Sequence, residues 1–136
     1  VWSAHLREPG DAAADPGAVA LQYVGTPYLW GGRTSLGLDC SALIQMALAR
    51  CGITAPRDTD MQQASLGSDV EFDGDESVLC RNDLVFWPGH VGIFLEQDAF
   101  LHANATDMMV ASAPFGAVRQ HIRNVTGHDV AAVRRI

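Results

Sequence analysis

Cysteine is scarce in this chain and oddly counted: Cys40, Cys51 and Cys80 are all there are, and no two form a CxxC pair. That argues against a disulfide framework or a Cys-rich zinc site and mildly favours a reducing compartment. Basic charge is also short, with nine basic against sixteen acidic residues and a net charge of −7. Binding a nucleic-acid backbone or an anionic membrane surface needs a basic face, so both are disfavoured. No apolar run approaches membrane-spanning length, and neither internal repeats nor low-complexity segments occur. What remains is ordinary globular composition. The 136 residues are 48% apolar and 18% charged, enough for one domain with a core. The sequence starts at Val1 and is expected to be a fragment or a processed product, so its start says nothing about targeting.

The richest stretch runs from Gly25 to Cys51. Pro27 and the Gly31-Gly32 pair are turn chemistry, supplying a fixed φ and backbone that can bend or be closely approached. Ala42, Leu43, Ile44, Met46, Ala47 and Leu48 then predict a helix with almost no polar face, buried on most sides and stopped by Gly52. Asp39 is the expected N-cap. Cys40 therefore falls in the first turn, where unpaired N–H groups and the positive end of the helix dipole favour a thiolate. The helix alone is equally compatible with a small buried thiol that fills core space.

Elsewhere, residues 1–6 alternate weakly as a strand and 8–14 read as linker. Asp15-Pro16 opens a short helix with Val19, Tyr23 and Val24 behind it. After Pro56-Arg57-Asp58-Thr59, a turn, Asp58 or Thr59 caps a second short helix that Gly67 closes. Ser68 to Glu76 is acidic and reads as a solvated loop. Asp69-x-Glu71-x-Asp73-Gly74 imitates the start of a calcium loop, but Cys80 stands where a bidentate Glu is required. From Asp83 the pattern becomes that of strands: 84–87, a Pro88-Gly89 turn, 90–96, 99–104 and 108–111. Residues 114–125 predict a helix and 130–136 a closing strand. Helices first and strands later argue α+β, with the helices on one face of an antiparallel sheet.

His90 and His102 lie on consecutive strands, and register decides whether they meet. A two-residue turn at Gln97-Asp98 puts them on opposite faces, because side chains alternate. An odd loop centred on Gln97 pairs Gly92 with His102 and His90 with Asn104, placing both rings on one face. Only that register collects Val91, Ile93, Leu95, Ala99, Leu101 and Ala103 on the other face, so the odd loop is expected. Gly92 then leaves room beside His102. A helix-tip cysteine and two diagonal histidines suggest a thiol–imidazole site in which His90 takes the thiol proton and His102 orients the His90 ring. The same three residues are also a conceivable open zinc site, although their spacing is not that of a compact ligand set.

Six segments in order, Gly25-Thr-Pro-Tyr-Leu-Trp-Gly-Gly32, Asp39-Cys-Ser-Ala-Leu-Ile44, Pro56-Arg-Asp-Thr59, Asp83-Leu-Val-Phe-Trp87, His90-Val-Gly-Ile-Phe94 and Leu101-His-Ala-Asn104, resemble the NlpC-type bacterial cell-wall peptidases. The resemblance covers 15–136 and implies a papain-like core: N-terminal helices, one carrying the cysteine, packed on an antiparallel sheet. It implies Cys40 as nucleophile, His90 as base, His102 as orienting residue, and Tyr28 with the Cys40 N–H as oxyanion donors. The dipeptide-releasing branch cleaves γ-D-glutamyl–diamino acid bonds in murein peptides of the L-Ala-γ-D-Glu-diaminopimelate type; the alternatives are an amidase or acyltransferase with the same Cys-His site, or a non-catalytic module that binds wall fragments. By that likeness Trp30, Asp39, Ser41, Asp58 and Thr59 touch substrate. Arg57 either joins them or holds the turn through an internal ion pair, and Asp39 is either ligand or helix cap. No metal or other cofactor is implied. Residues 1–14 resemble the tail of an upstream SH3-like domain plus linker, a partner that closes the amine pocket in many relatives. Asn82 replaces a usual Gly and is expected to tolerate the left-handed backbone there; Ala42 replaces another and favours the helix. Unpaired cysteines and a taste for trimmed peptides favour a cytoplasmic home, with a periplasmic or wall-associated one as the alternative. His5, His121 and His128 have no assignable role.

Overall fold

The structure is a computed structural model that describes residues 14–34 and 36–136. The strand and SH3-like tail expected over 1–14 lie outside the described residues, save for Ala14. Asp15 caps α1 (Pro16–Leu21) by accepting from Gly17 N, as the Asp-Pro pair predicts. A two-stranded ribbon, β1 (Arg33–Thr34) and β2 (Gly37–Leu38), leads into α2 (Cys40–Arg50). That helix starts and stops as read: Asp39 accepts from Ala42 N, and Gly52 follows the C-cap at φ +77°. Leu43, Ile44 and Leu48 are fully buried, each contributing about 2 kcal/mol of apolar burial. Truncating Leu43 to Ala would cost about 3 kcal/mol.

After α3 (Thr59–Ser65), the sheet is built from β3 (Ser68–Val70), β4 (Leu84–Trp87), β5 (His90–Glu96), β6 (Ala99–Asn104), β7 (Met109–Ala113) and β8 (Ala132–Arg135). All pairings in it are antiparallel and the order is β3-β8-β4-β5-β6-β7. The acidic stretch is thus not all loop: its first residues form an edge strand, held by Arg134 on Asp69 at 2.7 Å. Nothing local signals this, because the partner strand lies at the far end of the chain. Asp83, fully buried, is likewise clamped by Arg135 at 2.8 and 2.9 Å.

Side-chain alternation along β4, β5 and β6 separates two cores. Leu84, Phe86, Val91, Ile93, Leu95, Leu101 and Ala103 face α1 and α2. Val85, Trp87, Phe94 and Phe100 face the other way, onto Phe115 and Val118 of α4 (Phe115–Thr126). The expectation that every helix shares one face is therefore corrected. Both faces of the central strands are apolar, so a second layer has to cover the sheet, and the amphipathic α4 does so. Phe115 seats edge-on against Phe94, Phe100 and Phe72.

The hairpin register matches the reading. Ile93 pairs with Leu101 and Phe94 with Phe100, which aligns Gly92 with His102 and His90 with Asn104. The means differ: the connection is a two-residue turn, Glu96 opposite Ala99, and a bulge between Phe94 and Glu96 restores the parity. A bulge inserts the one residue that keeps both apolar faces intact. The space above Gly92 goes to the Phe100 ring, which a Cβ there would strike, rather than to His102. Asn82 adopts φ +74°, and its side chain accepts from Gly17 N at 2.8 Å, tying α1 to the start of β4.

Candidate active site

The ends of α2, β5 and β6 meet at a cavity of about 300 Å³ lined by Tyr28, Trp30, Cys40, Asp58, Thr59 and His90 among others. Burial of the apolar α2 brings its first turn against the β4–β5 turn. Cys40 Sγ accordingly lies 3.8 Å from Thr59 Oγ1 and 4.0 Å from the Gly89 carbonyl, the residue before His90. Cys40 is 8% exposed. Its burial pushes the thiol pKa up, against the lowering influence of the Val91 N–H and the Thr59 hydroxyl. The thiolate expected from helix position alone is thereby corrected: desolvation outweighs the helix terminus, and the resting sulfur is a thiol.

His90 Nε2 and His102 Nδ1 stand 2.8 Å apart. The ring nitrogen of His90 left for the sulfur is Nδ1, which has no hydrogen-bond partner among the described residues. In this resting arrangement thiol and imidazole share the cavity without hydrogen-bonding each other. Burial first, then the neighbouring ring, depresses His90 to about 3, and burial depresses His102 to about 4. Both rings are therefore neutral at pH 7. Their facing nitrogens point at each other, not at a shared point with the sulfur, and among the described residues no three His, Cys, Asp or Glu side chains gather as metal ligands. The zinc arrangement does not fit this geometry.

Tyr28 is half-buried at the cavity wall. Burial, with Cys40 and Asp39 adding to it, pushes its phenol pKa up, so it remains an O–H donor. The Cys40 N–H has no acceptor among the described residues, as expected for the first turn of a helix. Trp30, 87% exposed, stands at the rim.

Asp39 is more occupied than the sequence reading allowed. One oxygen accepts from Ala42 N, Ser41 Oγ and Arg57; the other accepts from Gly31 N and Arg57. Burial opposes the charge, but these bonds outweigh it and hold the carboxyl below its ordinary value. Arg57 also donates to Ser41 Oγ at 2.8 Å, so Asp39, Ser41 and Arg57 brace one another. Of the two readings open for Arg57, the geometry takes the internal pair. Asp58 differs: it stands at the N-cap position of α3 without a side-chain cap bond, and its carboxylate opens onto the cavity unpaired among the described residues.

Sequence reasoning passed over Asn104 and Asp107. Asn104 Nδ2 lies 3.3 Å from His102 Nε2 and donates to Asp107 Oδ2 at 3.0 Å. The period-2 pattern of Leu101-His-Ala-Asn104 already put Asn104 on the histidine face. His121 gains a partner too, Thr106 Oγ1 at 3.2 Å.

Residues 25–127 match the family described as NlpC/P60. The chain belongs to the NlpC/P60 family. This NlpC/P60 domain is 38% identical over 85 residues to Dipeptidyl-peptidase 6 of Lysinibacillus sphaericus, a match covering 62% of the chain and 30% of the relative. It is 33% identical over 112 residues to Bifunctional muramidase/DL-endopeptidase CwlT of Bacillus subtilis, covering 76% of the chain and 32% of the relative. The chain thus spans about a third of the length of these relatives. Among solved structures, the peptidoglycan hydrolase RipB of Mycobacterium tuberculosis superposes with TM-score 0.70 at 28% identity, over 89% of the chain and 62% of RipB. The NlpC/P60 domain of the peptidoglycan hydrolase SagA gives TM-score 0.65 at 27% identity, over 90% of the chain and 97% of that domain. The papain-like α+β core implied by the six motifs is the fold of this NlpC/P60 domain.

Proposed function

We propose that this NlpC/P60 domain is a cysteine endopeptidase that hydrolyses the γ-D-glutamyl–diaminopimelate bond of peptidoglycan stem peptides through a thioester. One observation carries the reading: a helix-tip thiol and His90, whose ring is hydrogen-bonded from behind to His102, open onto the same cavity beside a free carboxylate. His90 takes the thiol proton on Nδ1 as sulfur attacks the glutamyl carbonyl carbon. The carbonyl oxygen becomes an oxyanion held by the Tyr28 hydroxyl and the Cys40 N–H. As the C–N bond breaks, His90 returns the proton to the departing amine. Water then attacks the thioester, giving its proton to His90, and the released carboxylic acid leaves Cys40 as a thiol again. His102 holds the His90 ring in line throughout, a role that needs an acceptor and not a charge.

A neutral pair with His90 bare at Nδ1 suits this course, since proton transfer then accompanies attack instead of preceding it. Asp58, unpaired at the cavity, is the carboxylate available to the ammonium of an N-terminal L-alanine, with Thr59 beside it and Trp30 able to cover the bound peptide. Asp39 and Ser41 also line the cavity, and with Arg57 they fix the start of α2, their polar groups engaged with one another and with the helix end. The names of the relatives, endopeptidase and peptidoglycan hydrolase, support the reaction class. An SH3-like domain upstream of this one would complete the amine end of the cavity.

The experiment is hydrolysis of L-Ala-γ-D-Glu-diaminopimelate followed by mass analysis, wild type against Cys40→Ala. The expected products are L-Ala-D-Glu and diaminopimelate, absent with the variant although its circular dichroism is unchanged. Equal turnover by both proteins, or binding without cleavage by the wild type, removes the reading.

A further inference from the structure

Behind the histidine pair runs a line of hydrogen bonds that the hydrolytic scheme does not call on. His90 Nε2 lies 2.8 Å from His102 Nδ1, and His102 Nε2 lies 3.3 Å from Asn104 Nδ2. That same amide nitrogen donates to Asp107 Oδ2 at 3.0 Å, while the Asp107 backbone N–H donates to Asn104 Oδ1 at 2.7 Å. His102 and Asn104 are 7% and 8% exposed, so water has little access to replace these partners.

The direction of each bond follows from the chemistry at its far end. A backbone N–H only donates and a carboxylate only accepts. Asp107 presents one of each to the Asn104 amide and so fixes which end is oxygen and which is NH2. His102 Nε2 therefore faces a donor and must be the bare nitrogen of its ring. A neutral imidazole bare at Nε2 carries its proton on Nδ1, and here it gives that hydrogen bond to His90 Nε2. By the same rule the proton of His90 sits on Nδ1. That is the nitrogen which must be bare to receive the thiol proton.

We propose that Asn104 and Asp107 are positioning residues that hold the histidine pair in a resting tautomer, with the proton on Nδ1 of both rings, and that the pair becomes a base only when the Asn104 amide turns over. The turned amide offers Oδ1 to His102 Nε2. That nitrogen takes a proton from water, the His102 Nδ1 proton passes to His90 Nε2, and the His90 Nδ1 proton leaves to water, with no net change of charge. The titratable groups around the pair are Tyr28, Asp39, Cys40 and Asp58 at the cavity of His90, with Asp107 from the β6–β7 loop and His121 from α4 on the His102 side; Asp107 favours a proton on His102 and His121 opposes it. The tautomer assignment stands on geometry alone, and only its kinetic consequence rests on the peptidase reading.

The test is a long-range proton–nitrogen correlation spectrum of the nitrogen-labelled chain near neutral pH, for the wild type and Asn104→Asp. In the wild type both rings are expected to be protonated at Nδ1. The variant carboxylate can only accept, so both protons are expected to move to Nε2. If it fails to fold, N104D/D107N relieves the repulsion between adjacent carboxylates and gives the same readout. The carboxylate would also stabilise an imidazolium at His90, moving the acid limb of kcat/KM up by about one pH unit. A wild-type spectrum with the proton on His102 Nε2, or an unchanged tautomer in the variant, overturns the proposal. Wild type that shows the resting tautomer but never cleaves a murein peptide sinks the peptidase reading and leaves this assignment in place.

Discussion

The Arg57 guanidinium grips both oxygens of Asp39, at 3.0 and 2.7 Å, one residue ahead of the Cys40 thiol. Both side chains are less than a third exposed, at 27% and 16%. The bidentate geometry makes this pair stronger than an ordinary surface bridge. Arg57→Ala leaves the Asp39 charge partly buried and is expected to cost about 1–2 kcal/mol in a urea melt. It should also flatten the acid dependence of stability, because without that partner the Asp39 carboxyl is no longer held as far below its unfolded value and the variant has less of this contribution left to lose in acid. Asp39, with its folded pKa depressed, contributes stability that is present above its unfolded value and lost as pH falls through the folded one. An unchanged midpoint in Arg57→Ala would mean that the helix cap alone holds Asp39.

In the proposed mechanism Tyr28 offers a hydroxyl to the developing oxyanion and little to the bound substrate. Tyr28→Phe is expected to lower kcat by about a hundredfold, the usual cost of one such donor, with KM nearly constant. A KM effect without a kcat effect would move Tyr28 from the reaction to substrate packing.

Asp58→Asn removes the one carboxylate at the cavity that has no internal partner among the described residues. KM for a peptide with a free N-terminal L-alanine should rise by about tenfold, the worth of one charge-assisted hydrogen bond. The N-acetylated peptide should be a poor substrate for both proteins and should not distinguish them. Equal effects on the two peptides would show that Asp58 does not read the amine.

The buried histidines make stability fall on mild acidification. Burial depresses His90 to about 3 and His102 to about 4, from an ordinary 6.5. Below 6.5 the unfolded chain takes up protons that the native rings refuse, so the unfolded state binds more protons and stability rises with pH across this window. Stability is therefore present above about 6.5 and is lost as pH falls toward 4, by at most about 1.4 kcal/mol per ring per pH unit. His102→Asn should remove one ring's share of the slope, measured by urea melts at stepped pH. A flat profile between these limits would mean that the rings are solvated.

What the sequence determined by itself was local or periodic: the Asp39 cap, the apolar α2, the Gly52 stop, and the alternation that placed His90 and His102 on one sheet face. Each of these depends on residues a few positions apart, where propensity and side-chain alternation act directly. The tertiary structure decided the rest. It inserted β8 between β3 and β4, put α4 on the opposite face, spent Asp39 on Arg57, buried the Cys40 sulfur deeply enough to keep it a thiol, and set Asn104 and Asp107 behind the histidines. Those outcomes come from contacts between distant segments and from removal of water, which no short window of sequence contains.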